Sequence, residues 1–124
     1  MIQKIYNKVI SVFGKFTRRI YMTILQVFGK SDYCRWSKTD TLLTSWDERT
    51  IILSGYIEPN SRVLEFGAGR LVLKKHLPEN CNYFHSDIVA RDQETLVIDL
   101  NKELPALPAV DFIIFSGVLE YVKD

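Results

Sequence analysis

The chain has 124 residues, 47% hydrophobic and 25% charged, which is enough for one small domain with a packed core. Sixteen basic and fifteen acidic side chains leave a net charge of +1, the composition of an ordinary soluble globular protein, and there is no internal repeat or low-complexity tract. Cys34 and Cys81 lack metal-type spacing, so reduced thiols in a cytosolic, cytoplasmic protein are the expectation.

The charge is unevenly spread. Residues 1–30 hold Lys4, Lys8, Lys15, Arg18, Arg19 and Lys30 and no acid, whereas residues 31–124 hold ten basic and fifteen acidic groups. This asymmetry predicts a basic helical extension, residues 1–38, ahead of a different body, residues 39–124. Apolar residues from Ile2 through Val12, Phe13, Phe16, Ile20 and Ile24 to Val27 recur at helical spacing, with lysines and arginines between them. Gly14 is a point at which this pattern divides into two helices. The most apolar run, Ile20 to Phe28, is about half a bilayer span, and no small-residue cleavage site follows it. Two readings of residues 1–28 stay open: an amphipathic helix in peripheral contact with an anionic membrane, or one packed on its own domain or over its cleft.

Lys30 to Lys38 reads as a connection. Thr39-Asp40 or Ser45-Trp46-Asp47-Glu48 then caps a helix that runs to about Ile57, the second with acids in the first turn, and Gly55 and Pro59 end it. Trp46 and Tyr56 are expected in the core. Glu58 to Ser61 is turn chemistry, and Arg62 to Phe66 reads as a buried strand. Gly67-Ala68-Gly69 follows, and Leu71 to Leu77 runs at helical spacing. Strand, glycine turn and helix form a cradle for a nucleotide-like ligand, because glycine permits a tight turn and a helix start offers free N–H groups. A dinucleotide fingerprint requires glycine or alanine where this chain has Val72. Glu65 stands two residues before the first glycine.

Asn82 to Ile88 is the second predicted strand, with Asp87 at its end. A carboxylate there can accept from both hydroxyls of a ribose. Residues 88–94 are a short helix or loop. Thr95 to Leu100 is a third strand and also ends in acid, Asp99. Val110 to Ser116 is the fourth, apolar on both faces, with Asp111 its only charge. His76 reads as a surface histidine and His85 as a core one. No cluster has metal-ligand spacing, and no Ser-His-Asp arrangement is present.

The order Glu65-x-Gly67-x-Gly69, Asp87, Asp99, a Leu-Pro pair, and Asp111 through Ser116 to Glu120 resembles the class I S-adenosylmethionine-dependent methyltransferases, from about Trp46 onward. Leu71 stands where that family often has a third glycine, and Tyr121 where it commonly has histidine. The resemblance implies an α/β, Rossmann-like parallel sheet, four strands in the order 3-2-1-4 with helices on both faces. It also implies that the chain is the first part of a seven-strand catalytic domain. Strand 110–116 would then lie at an open edge, where it invites self-association. The implied cofactor is S-adenosyl-L-methionine, held by Glu65, Gly67, Ala68, Gly69, Asp87, Ile88, Asp99, Leu100 and Ser116. In the family the acid at position 65 helps hold the methionine end, Asp87 takes the ribose, and Asp99 or its neighbour receives the adenine amino group. The implied activity is methyl transfer to a small molecule, glycan or lipid, with no general base assigned. A non-catalytic cofactor-binding subunit and an NAD(P)-binding Rossmann protein are the alternatives. No stacking-aromatic RNA motif supports nucleic acid as a partner.

Overall fold

The computed structural model describes residues 2–28 and 30–123. Positions 1, 29 and 124, which the expected 1–38 and 39–124 segments include, lie outside the described residues. Helix α1 spans Ile2–Val27 without a break, so Gly14 does not divide it. One glycine inside a helix costs only about 1 kcal/mol, too little to stop a pattern that continues on both sides. A short helix, α2 (Tyr33–Trp36), is capped by Asp32, whose carboxylate accepts from the Arg35 amide at 3.3 Å. Two 3-10 turns lead into α3 (Asp47–Ser54), where Asp47 and Glu48 face the positive end of the helix dipole.

Four parallel strands follow: β1 (Arg62–Phe66), β2 (Asn82–Asp87), β3 (Leu96–Val97) and β4 (Phe112–Phe115). Their order is β3-β2-β1-β4, with Arg62 opposite Asn82 and Val63 opposite Phe112. The fold is therefore α/β with the expected four-strand order. β4 lies at one edge, and Asp111 clamps its start to β1. Its carboxylate accepts from the Arg62 amide at 2.7 Å, and its own amide donates to the Arg62 carbonyl at 2.8 Å. That contact holds the Asp111 carboxyl below its ordinary pKa. Ile113 is 50% exposed on this edge.

Side chains alternate across β1, as the pleat requires. Val63 faces one side and packs with Ile57, Leu73 and Ile114, under Leu53 of α3. Leu64 and Phe66 face the other side and pack with Ile98, Phe84, Leu107 and Val118. Phe66 and Phe115, paired in register, stack at 4.9 Å. The first face carries a helix; the second is covered by the irregular chain from Ile98 to Val110. This corrects the expectation of helices on both faces. The helix expected over Leu71–Leu77 is a single 3-10 turn, Leu73–Lys75. Leu71 takes a left-handed φ of 58°, which stops a helix starting there, and the residues left before Pro78 are too few to nucleate one. Tyr56, expected in the core, is 74% exposed.

Candidate functional site

A cleft opens at the carboxyl ends of the strands, where parallel α/β sheets bind ligands. Phe66, Gly67 and Gly69 line it from β1, Ser86, Asp87 and Ile88 from β2, and Ile98 to Asn101 from the chain after β3. Ser116, Gly117 and Val118 line it after β4. The far wall is N-terminal: Met22 and Leu25 of α1, Lys30 to Asp32, Trp36, Leu42, Trp46 and Arg49. Of the nine expected cofactor residues, all but Glu65 and Ala68 line this cleft. Trp46, expected in the core, is half-buried here.

The floor is the glycine turn. Gly67 and Gly69 have φ of 71° and 52°, the left-handed region open to glycine at little cost. A Cβ on Gly67 would stand 3.0 Å from the Val118 Cβ. The turn is tied down from behind, because the Ala68 amide donates to the Ser86 carbonyl at 3.0 Å. Arg70 reaches back to pair with Asp47 of α3.

Asp87 is the best-satisfied side chain in the cleft. Its Oδ2 accepts from the Gly69 amide at 2.8 Å and from Arg91 Nε at 2.9 Å. Its Oδ1 accepts from the Ile88 amide at 2.7 Å and from Arg91 Nη2 at 3.2 Å. The same Nη2 also donates to the Trp36 carbonyl at 2.5 Å, which fastens the far wall to β2. Asp99 holds that wall at a second point. Its Oδ1 accepts from Ser31 Oγ at 2.6 Å and from the Asn101 amide at 3.0 Å. Asn101 Nδ2 donates to Ser31 Oγ and to the Tyr121 carbonyl. The Ser116 hydroxyl pairs with Thr50 of α3 at 2.5 Å. Trp36 meets Tyr121 edge-on at 4.7 Å above the cleft, with the Arg35 guanidinium over both rings.

Ser86 Oγ differs from its neighbours. It is buried, and among the described residues it has no hydrogen-bond partner. An unmet hydroxyl costs about 1–3 kcal/mol, so a group that met it would recover that energy.

Glu65 lies elsewhere. It shares the face of Val63, is buried, and accepts from the Tyr83 hydroxyl. Burial pushes its carboxyl from 4.5 up to about 7; the Tyr83 bond opposes that rise, and the charge of Asp87 adds to it. Burial and Glu65 together raise Tyr83 above its ordinary range. Tyr83 stacks on His85, which is buried as expected of a core histidine and bonds Asp92 at 2.8 Å. The bond from His85, with help from Thr95, lowers the Asp92 carboxyl to about 2.

Arg91, Ser86, Trp36 and Asn101 were not among the residues expected from sequence. Arg91 follows Asp87 by four residues, but the chain between them is not helical, so the spacing alone did not signal the pair. Ser86 had no sequence signal beyond its place beside Asp87. Comparison with protein-family models, curated proteins and solved structures finds no match.

Proposed function

We propose that the cleft binds S-adenosyl-L-methionine and that the chain serves methyl transfer to a small-molecule, glycan or lipid acceptor. The observation that carries this reading is the convergence of Gly67, Gly69, Asp87 and Asp99 on one cleft at the carboxyl edge of a parallel sheet. The donor and acceptor set suits the cofactor. Once Arg91 moves aside, Asp87 offers acceptors to a ribose diol, and Asp99 or the Leu100 backbone offers one to an adenine amino group. Phe66, Ile98, Leu100 and Val118 give an adenine ring apolar walls, and the unmet Ser86 hydroxyl awaits a polar partner. When bound, the cofactor supplies a methyl group already activated by its sulfonium. The residues here orient the ligand and exclude water from it.

A second reading, cofactor binding without catalysis, uses the same site, and in both readings the ribose must first displace Arg91. Arg91 and two amides fill the acceptor positions of Asp87. Calorimetry with S-adenosylmethionine, S-adenosylhomocysteine and NAD tests the binding. Both adenosyl compounds should bind, and Asp87→Ala should weaken them roughly ten- to a hundredfold. Binding of NAD alone, or unchanged affinity in Asp87→Ala, would overturn the assignment. Methyl release to an acceptor then separates the catalytic reading from the second one.

A further inference from the structure

Helix α1 touches the body with the side opposite its apolar stripe. At 3.6 residues per turn, Val12, Phe13, Phe16, Ile20, Ile24 and Val27 share one face. All six are exposed, between 47% and 67%. Met22 and Leu25 lie roughly 150° around the helix from the centre of that face. These two are half-buried and line the cleft, and every other described side chain of α1 is exposed. Neither apolar core includes a described side chain of α1. The stripe is therefore uncovered, and a contiguous apolar patch of this kind marks an interaction surface.

The charge on the same helix identifies what covers it. Lys15, Arg18 and Arg19 enter no ion pair among the described residues. No acid occurs before Asp32. A second copy of α1 would bring no acid to pair with these cations. A surface that is apolar below and negative above matches both halves of the pattern, with aromatic and aliphatic residues on one face and lysine and arginine on the other. No helix among the described residues is long and apolar enough to cross a membrane.

We propose that α1 lies in the plane of an anionic lipid bilayer, with its stripe from Val12 to Val27 in the headgroup region. Met22 and Leu25, on the opposite side of the same helix, wall the cleft, so docking leaves the cleft on the far side of α1 from the bilayer. The docking itself is independent of what the cleft binds.

The test is co-sedimentation of the full chain with vesicles of phosphatidylcholine, alone or mixed with phosphatidylserine. The protein should bind the mixed vesicles and be released by salt. Phe13→Gln with Phe16→Gln should weaken binding at least tenfold. Lys15→Gln with Arg18→Gln and Arg19→Gln should do the same, since basic residues are attracted to an anionic surface. All five positions are exposed, so the fold should survive, and circular dichroism would verify it. Three results would each overturn the proposal: no binding to mixed vesicles, binding indifferent to salt, or a phenylalanine variant that binds like the parent. A dimer in solution that the phenylalanine variant dissolves would also overturn it and assign the stripe to a second copy.

Discussion

Arg91 grips Asp87 through two nitrogens, Nε at 2.9 Å and Nη2 at 3.2 Å, and the pair is almost wholly buried. With the amides of Gly69 and Ile88 it uses all four acceptor positions of the carboxylate. A ribose diol that binds Asp87 must displace Arg91.

Arg91→Met therefore opens two acceptor positions and leaves a buried carboxylate short of donors. Breaking a buried pair in this way costs about 3–5 kcal/mol of stability. A diol ligand would restore part of that loss. The variant should melt lower than the parent but gain more in Tm from saturating S-adenosylhomocysteine. An equal or smaller gain would show that Arg91 does not compete with the ligand.

Glu65 sets a pH dependence of stability. Its carboxyl rises from 4.5 to about 7 on folding, so the folded state holds a proton that the unfolded state releases. Stability from this group is complete below 4.5 and is lost as the pH rises toward 7, by about 3 kcal/mol in all. Glu65→Gln keeps an acceptor for the Tyr83 hydroxyl and removes the titration. Its Tm relative to the parent should climb between pH 5 and pH 8. A difference that stays flat over that window would count against a neutral buried carboxyl.

Leu71 and Leu73 are two residues apart and should respond oppositely to truncation. Leu71 holds a left-handed φ of 58°, which costs a leucine roughly 1–2 kcal/mol. Leu71→Gly relieves that strain while losing half-buried apolar area and gaining unfolded-state entropy. Its net effect should lie within about 1 kcal/mol of zero. Leu73 is fully buried, and Leu73→Ala should cost about 2–5 kcal/mol. Urea unfolding midpoints measure both, and a loss at Leu71 as large as that at Leu73 would contradict the account.

Gly67→Ala should destabilise by about 1–3 kcal/mol, because alanine is strained at φ 71° and its Cβ meets Val118 at 3.0 Å. Adding Val118→Gly, which removes the Val118 Cβ as well as its two methyl groups, relieves the collision but not the strain. The double variant should be more stable than the sum of the single losses predicts. Strict additivity would mean that the two side chains do not meet.

Much of the sheet was legible because β1 and β4 are short apolar runs closed by turn residues, whereas β2 is half polar and β3 keeps only Leu96–Val97 of the expected Thr95–Leu100. Arg62–Phe66 begins and ends where the sequence indicates, and the strand order follows. The crossovers were less legible. Leucine spacing after Gly69 looks helical over Leu71–Leu77, but a segment so short takes its conformation from Leu71 and the turn. The placement of Glu65 was readable in principle. It alternates with Leu64 and Phe66, so it must face away from them with Val63, whereas its position at a strand end suggested the cleft. The links from Arg91 to Trp36 and from Ser31 to Asp99 join residues 55 and 68 apart, and no local pattern encodes such meetings.

The parallel pairing of β1 also sets an order of assembly. Arg62 meets Asn82 after a loop of about twenty residues, but Val63 meets Phe112 only after one of about fifty. Closing the shorter loop costs less entropy, so β1 and β2 should dock early in folding and β4 late. Ser116, Gly117 and Val118 arrive with β4, so the cleft is completed only in the last stage of folding. A molecule that fills the cleft would hold the finished chain by slowing the departure of β4, and its effect should appear in the unfolding rate and not in the folding rate.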